Sequence, residues 1–68
     1  MKAQKYRDVV KVLRAQGWVL LRTAKGDHEV WGPPGGPANV TIAHHREVSA
    51  GVLRQVAKQL PAIPDNWQ

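Results

Sequence analysis

Apolar residues near the start of the chain recur at the spacing of a helix that faces a core. They occupy positions i, i+3, i+4 and i+7, which lie on one side of a helix. This stripe consists of Tyr6, Val9, Val10 and Leu13. Gly17 follows, and glycine readily adopts the left-handed conformation that ends many helices. The pattern predicts a helix over about residues 3–16.

A second apolar stripe near the end of the chain predicts a second helix. Its members are Leu53, Val56, Ala57 and Leu60. Ser49 precedes the stripe and is a residue type that caps helix N-termini. Pro61 stops the helix because it has no backbone N–H donor. The remaining residues include Ile63 and Trp67, and the sequence leaves open whether these two dock on the domain or form an exposed arm.

Three segments between the helices have the composition of β-strands. Aromatic and β-branched residues favour strands, and Val40 and Ile42 alternate with polar neighbours. The predicted strands cover residues 18–23, 27–31 and 38–43. Lys25, Gly26 and Asp27 are typical of a hairpin turn, and the proline- and glycine-rich stretch 32–37 is typical of a loop.

The resulting order of elements, α-β-β-β-α, predicts an α+β fold in a single domain. A chain of 68 residues can form one small core, which we expect over about residues 3–60, with 61–68 as a tail. Neither helix can bury its apolar stripe alone. A two-layer sandwich buries both stripes when both helices pack on one face of a three-stranded antiparallel sheet. The other sheet face is left to solvent or to a partner.

Composition then narrows the classes of function. The net charge of +5 favours a polyanion such as RNA or DNA, although a solvated surface or an acidic protein partner also fits. The absence of cysteine excludes disulfides and thiolate metal sites. No apolar run approaches the roughly 20 residues that span a bilayer, and no secretory signal is evident. We therefore expect no membrane association and a location in the cytoplasm.

A metal site is one alternative for the titratable residues around the predicted turn. His28, His44 and His45, taken with Asp27 and Glu29, match no zinc-binding pattern. We therefore expect neither a metal nor another cofactor. The two carboxylates lie beside a turn, where charged side chains are usually solvated, so we expect no acid–base pair from them.

RNA cleavage without a metal requires few catalytic groups from the protein, because the substrate supplies its own nucleophile, the 2′-OH. One side chain must move a proton and cations must hold the phosphate. Histidine suits proton transfer because its unperturbed pKa is about 6.5. His28 is the candidate, and a hydrogen-bonded turn histidine without catalytic role is the alternative. The candidate RNA-binding cations are Arg7, Lys11 and Arg14 at helical spacing, and Arg22, Lys25 and Arg46 near the hairpin and the strand exit. For the helical group, ordinary solubility is the alternative.

Two stretches of the chain resemble the HicA-type toxins. In "GWVLLRTAKGDHEVW" the matching positions are Gly17, Trp18, Arg22, Gly26, His28 and Trp31. In "VTIAHHREVSAGVLRQVAKQL" they are Val40, Ile42, His44, Gly51 and Leu53. The resemblance runs from Tyr6 to about Leu60. Asp27 departs from the family pattern, which usually has a serine before the histidine.

The resemblance implies a fold like that of the double-stranded-RNA-binding domain, which agrees with the order of elements. It also implies a toxin endoribonuclease that cleaves mRNA and stalls growth, with His28 as the catalytic residue. A HicB-type antitoxin is implied as the partner that binds and inhibits the toxin. Two other functions remain open: a non-catalytic RNA-binding module of the same fold, and a protein-interaction partner whose basic face pairs with an acidic subunit.

Overall fold

Two helices and a three-stranded antiparallel sheet are present, as the sequence predicts, together with two short strands that it does not predict. The structure is a computed structural model that describes residues 1–67, so the last residue of the predicted tail, Gln68, lies outside the described residues. In chain order the elements are β1 (Gln4–Lys5), α1 (Tyr6–Ala15), β2 (Val19–Thr23), β3 (His28–Gly32), β4 (Val40–Ala43), β5 (Glu47–Val48), α2 (Ala50–Gln59) and a 3-10 helix (Asp65–Trp67).

The end of α1 and the start of α2 lie at the residues that the sequence indicates. Gly17 has a φ of 85° after the last turn of α1, and the amide of Trp18 donates to the carbonyl of Leu13 at 2.9 Å. This bond satisfies one of the carbonyls that a helix end leaves free. The Oγ of Ser49 accepts from the amide of Val52 at 3.3 Å and so caps α2. None of the helices in residues 1–67 is long and apolar enough to cross a membrane.

The main sheet has the strand order β2-β3-β4, and both pairings are antiparallel. Trp31 lies opposite Val40 and points, with Ile42, toward the helices. Side chains alternate between the two faces of a strand, so His28 and Val30 lie on the face away from the helices, which we call the outer face. The hydrophobic core unites Val9, Val10, Leu13, Trp18, Trp31, Val40, Ile42, Val48, Leu53, Val56, Leu60 and Trp67. The two-layer arrangement predicted from the apolar stripes is thereby confirmed.

The first helix begins later than predicted, because residues 4 and 5 form a strand instead. β1 pairs antiparallel with β5, with Gln4 opposite Val48 and Lys5 opposite Glu47. The amide of Tyr6 then donates to the carbonyl of Arg46 at 2.9 Å. This small second sheet fixes the start of α1 against the segment that follows β4.

The tail docks on the domain through Trp67, whose side chain is only 1% exposed. The side-chain amide of Gln16 fixes the segment that leads to Trp67. Its Nε2 donates to the carbonyl of Ala62 at 2.8 Å, and its Oε1 accepts from the Ala62 amide at 3.1 Å. Ile63, by contrast, is 40% exposed. Of the two apolar tail residues, one therefore belongs to the core and the other to the surface.

Candidate active site

The His28 ring is held at the mouth of the β2–β3 hairpin. The amide of Ala24 donates to the His28 carbonyl at 2.8 Å, and Gly26, with a φ of 69°, completes the turn. The Nδ1 of His28 lies 2.9 Å from the carbonyl oxygen of Lys25. A carbonyl can only accept, so Nδ1 is the donor, and in the neutral ring Nε2 carries the lone pair. Because the residue is exposed, this arrangement leaves the Nε2 lone pair open to solvent.

Glu29, the next residue, is buried, and the expectation that it is solvated is wrong. The residue is 9% exposed, and its side chain points toward the helices, on the same strand face as Trp31. Its Oε1 accepts hydrogen bonds from the Tyr6 hydroxyl at 2.6 Å and from the Trp31 Nε1 at 3.2 Å. Its Oε2 lies 3.3 Å from the Nδ1 of His44. Two hydrogen-bond donors and the nearby imidazole therefore compensate the cost of burying this carboxylate.

Tyr6 is locked into this network on two sides. Its ring stacks on the His44 ring, with centroids 4.0 Å apart and planes 13° from parallel. Burial, followed by the hydrogen bond to Glu29 and the negative charge of that carboxylate, raises the pKa of Tyr6 to about 12, and Arg14 acts in the opposite direction. The guanidinium of Arg14 lies over the Trp31 ring at 5.4 Å from its centroid.

Titration of Tyr6 provides a direct test of the network, because Tyr6 is the only tyrosine of the chain. The absorbance of tyrosinate is expected to rise with a midpoint near pH 12, against about 10 for a free tyrosine. The pKa of Tyr6 is higher in the folded than in the unfolded chain. The interactions of Tyr6 therefore contribute their full stability to the fold below about pH 10, and this contribution is lost as the pH approaches 12. Glu29→Gln should lower the midpoint. A midpoint near 10 in protein that circular dichroism shows to be folded contradicts the network.

Asp27 faces His45 and not His28. Its Oδ2 lies 3.3 Å from the Nε2 of His45, and both side chains are exposed. The backbone carbonyl of Asp27 accepts from the amide of His44 at 2.8 Å, which continues the β3–β4 ladder by one residue. The aspartate that stands in place of the usual serine therefore contacts the β4–β5 segment.

Two depressions meet at His44. The first, which we call the turn pocket, is lined by Thr23, Gly26, Asp27, His28, Glu29 and His44. The second, which we call the basic cleft, is lined by Lys5, Tyr6, Arg7, His44, His45 and Arg46. His44 lines both, so a ligand that follows the surface from one depression to the other passes this ring.

The six cations predicted to bind RNA occupy three regions. Arg7 and Arg46 lie in the basic cleft, where Lys5 joins them. Lys25 belongs to the turn that holds the His28 ring, and Arg22 lies opposite Val30 on the outer face, diagonal to His28. The other two are on α1: Lys11 is exposed and Arg14 covers Trp31. Nothing in the sequence indicates Lys5, because only the β1–β5 pairing brings it beside Arg46.

No three histidine or acidic side chains within residues 1–67 come together in a way that could hold a metal ion. The titratable groups around the turn are instead arranged in pairs: His44 with Glu29, and His45 with Asp27. Proton transfer and anion binding are the chemistry that this arrangement offers.

Comparison with known families decides the identity of the chain. The family model of the HicA toxin of bacterial toxin–antitoxin systems matches residues 6–61 of the 68. The chain belongs to the HicA toxin family. HicA toxins cleave mRNA and act with an antitoxin, so the predicted family and its toxin role are confirmed. No curated protein and no solved structure gives a significant match, and the likeness of this HicA toxin to the double-stranded-RNA-binding domain stays a prediction.

Proposed function

We propose that this HicA toxin is a metal-independent endoribonuclease of the cytoplasm, in which His28 is the base, and that a HicB-type antitoxin inhibits it. The observation that carries the proposal is the hydrogen bond between the Nδ1 of His28 and the Lys25 carbonyl. That bond assigns the proton to Nδ1 and leaves the Nε2 lone pair at an exposed strand start, where a substrate hydroxyl has access.

The reaction uses the 2′-OH of the RNA as its nucleophile. Nε2 of His28 takes the hydroxyl proton as O2′ forms a bond to the adjacent phosphorus. The bond from phosphorus to the 5′-oxygen breaks, and its electron pair leaves with that oxygen. The products are a 2′,3′-cyclic phosphate and a 5′-hydroxyl. In this minimal form, with a single histidine, water protonates the departing oxygen.

Cations near His28 hold the phosphodiester chain. Lys25 lies in the turn that binds the His28 ring, and Arg22 lies diagonal to His28 on the outer face. Their charges stabilise the phosphate during attack. The basic cleft extends the track through Lys5, Arg7 and Arg46. Arginine suits this role because its planar guanidinium donates two parallel hydrogen bonds to phosphate. Lys11 and Arg14 on α1 add to the positive field beyond the cleft.

A non-catalytic RNA-binding module is the second candidate, and one observation favours it. The exposed carboxylate of Asp27 lines the turn pocket together with His28. A negative charge at this place opposes the approach of the scissile phosphate, whereas the basic cleft attracts RNA in either case. The two functions differ in whether bound RNA is cut.

The proposed function is tested by incubating the purified chain with a defined transcript in excess chelator. Cleavage is expected at the same rate with and without chelator, because no proton transfer or phosphate contact in the proposed reaction uses a metal ion. Induced expression is expected to arrest growth, and co-expression of the antitoxin to relieve the arrest. If the chelator abolishes cleavage and magnesium or zinc restores it, the proposal is wrong.

A further inference from the structure

One histidine cannot both accept the proton of the 2′-OH and donate a proton to the departing 5′-oxygen in the proposed reaction. The attacking and departing oxygens of a phosphoryl transfer lie roughly in line, on opposite sides of the phosphorus. A ring that touches O2′ therefore does not reach the 5′-oxygen. A second positioned group that supplies a proton to this oxygen adds a further rate enhancement, typically about 10²–10⁴-fold.

We propose that His44 is this second catalytic residue and that its Nε2 donates the proton to the departing 5′-oxygen. The inference rests on the proposed function and extends it from one histidine to two. His44 lines the turn pocket together with His28. The two residues are also close along the ladder, because His28 lies opposite Ala43 and the amide of His44 donates to the Asp27 carbonyl at 2.8 Å.

The surroundings of His44 fix the ring and its orientation. Its Nδ1 lies 3.3 Å from the Oε2 of the buried Glu29 carboxylate, so Nε2 is the ring nitrogen that faces away from Glu29. In the protonated ring both nitrogens carry a proton, and Nε2 is then a donor. Glu29 itself is held by Tyr6 and Trp31, and the stacked ring of Tyr6 sets the plane of the imidazole. The His44 side chain is nevertheless 59% exposed. A histidine oriented by a buried carboxylate, with its other nitrogen open to a pocket, is suited to proton transfer.

The complete step then balances without water as a reactant. The 2′-OH gives its proton to Nε2 of His28, and O2′ bonds to phosphorus. The phosphorus–O5′ bond breaks, and O5′ takes the proton from Nε2 of the protonated His44. Exchange with solvent afterwards returns each ring to its starting state. Since His44 also lines the basic cleft, the RNA segment on the 5′-hydroxyl side of the cut is expected to run past Lys5, Arg7 and Arg46.

The test must separate proton donation from a structural role, because His44 also compensates Glu29. Two RNA substrates achieve this: one with the ordinary 5′-oxygen at the cut and one with sulfur in its place. A thiolate leaves without needing a proton, so the sulfur substrate does not depend on a proton donor. Two variants complete the design. His44→Ala removes the ring, and His44→Asn retains an N–H group that can donate to Glu29 but cannot transfer a proton.

Both His44 variants are expected to cut the ordinary RNA about 10²–10⁴-fold more slowly than the native chain, and to cut the sulfur RNA at nearly the native rate. His28→Ala is expected to be slow on both substrates, because removal of the 2′-OH proton is still required. His45→Ala removes a similarly exposed ring at the next position and is expected to show equal, small losses on both.

Equal losses of His44→Ala and His44→Asn on the two substrates overturn the inference, and so does a native rate of either variant on ordinary RNA. A failure of the proposed function has a different signature. If His28→Ala cuts at the native rate while the sulfur substrate still rescues the His44 variants, the role of His28 is wrong and that of His44 stands. If the native chain cuts neither substrate, both are wrong.

Discussion

Replacing His28 with alanine is expected to slow RNA cleavage by about 10²–10⁴-fold and to abolish growth arrest, while RNA binding and the fold persist. The ring is exposed, and its one side-chain hydrogen bond within residues 1–67 goes to the Lys25 carbonyl, which water can replace. The basic cleft is untouched by the change. The measurement is single-turnover cleavage of a defined transcript, with RNA affinity and circular dichroism recorded for the same preparation.

His45→Ala is the matched control for this variant. It also removes an exposed imidazole, but one whose ring faces Asp27 across 3.3 Å and lies outside the turn pocket. His45 lines the basic cleft, so its loss is expected to weaken RNA binding modestly, but it transfers no proton in the proposed reaction. At saturating RNA the single-turnover rate should therefore fall by less than about tenfold. A folded His28→Ala protein that cuts RNA as fast as the His45→Ala control would rule out His28 as the base.

Trp67→Ala is expected to destabilise the protein by about 3–5 kcal/mol, the usual cost of removing a buried tryptophan from a core. Trp67 is 1% exposed and belongs to the single hydrophobic cluster described in residues 1–67. A domain of 68 residues has roughly 3–10 kcal/mol of total stability, so a large share of the variant should be unfolded at room temperature. Urea titration and the thermal midpoint measure the loss.

Ile63→Ala tests the same tail at an exposed position. Ile63 is 40% exposed, so its removal is expected to change the free energy of unfolding by no more than about 0.5 kcal/mol. Similar stability of the two variants would show that the tail does not dock through Trp67.

The sequence predicts the main elements of this fold because their hydrophobic patterns extend over enough residues to be recognised. The apolar stripe of α1 is followed by Gly17, and that of α2 is preceded by Ser49, so periodicity and end signals agree. β1 and β5 have two residues each and carry no alternation, so nothing local distinguishes them from loops. Their pairing depends on the finished fold, which brings Lys5 opposite Glu47.

The site was predicted less completely than the fold. The resemblance to HicA toxins points to His28, but the burial of Glu29 was missed because a carboxylate beside a turn is usually solvated. A signal was present: Glu29 lies two residues before Trp31 and therefore shares its strand face. Of the groups that compensate its charge, Tyr6 and His44 are distant in sequence, so only the folded structure brings them to it.

Metal-independent cleavage through the 2′-OH of the RNA is tested most directly by the chemistry at the cut ends. One transcript is prepared in two forms that differ only by a 2′-deoxy sugar at the cut position, and both are incubated with the purified chain. We expect a 2′,3′-cyclic phosphate and a 5′-hydroxyl from the ordinary RNA, and no cut in the deoxy form. Cleavage of the deoxy form at the same position, with a 5′-phosphate on the product, would contradict this mechanism.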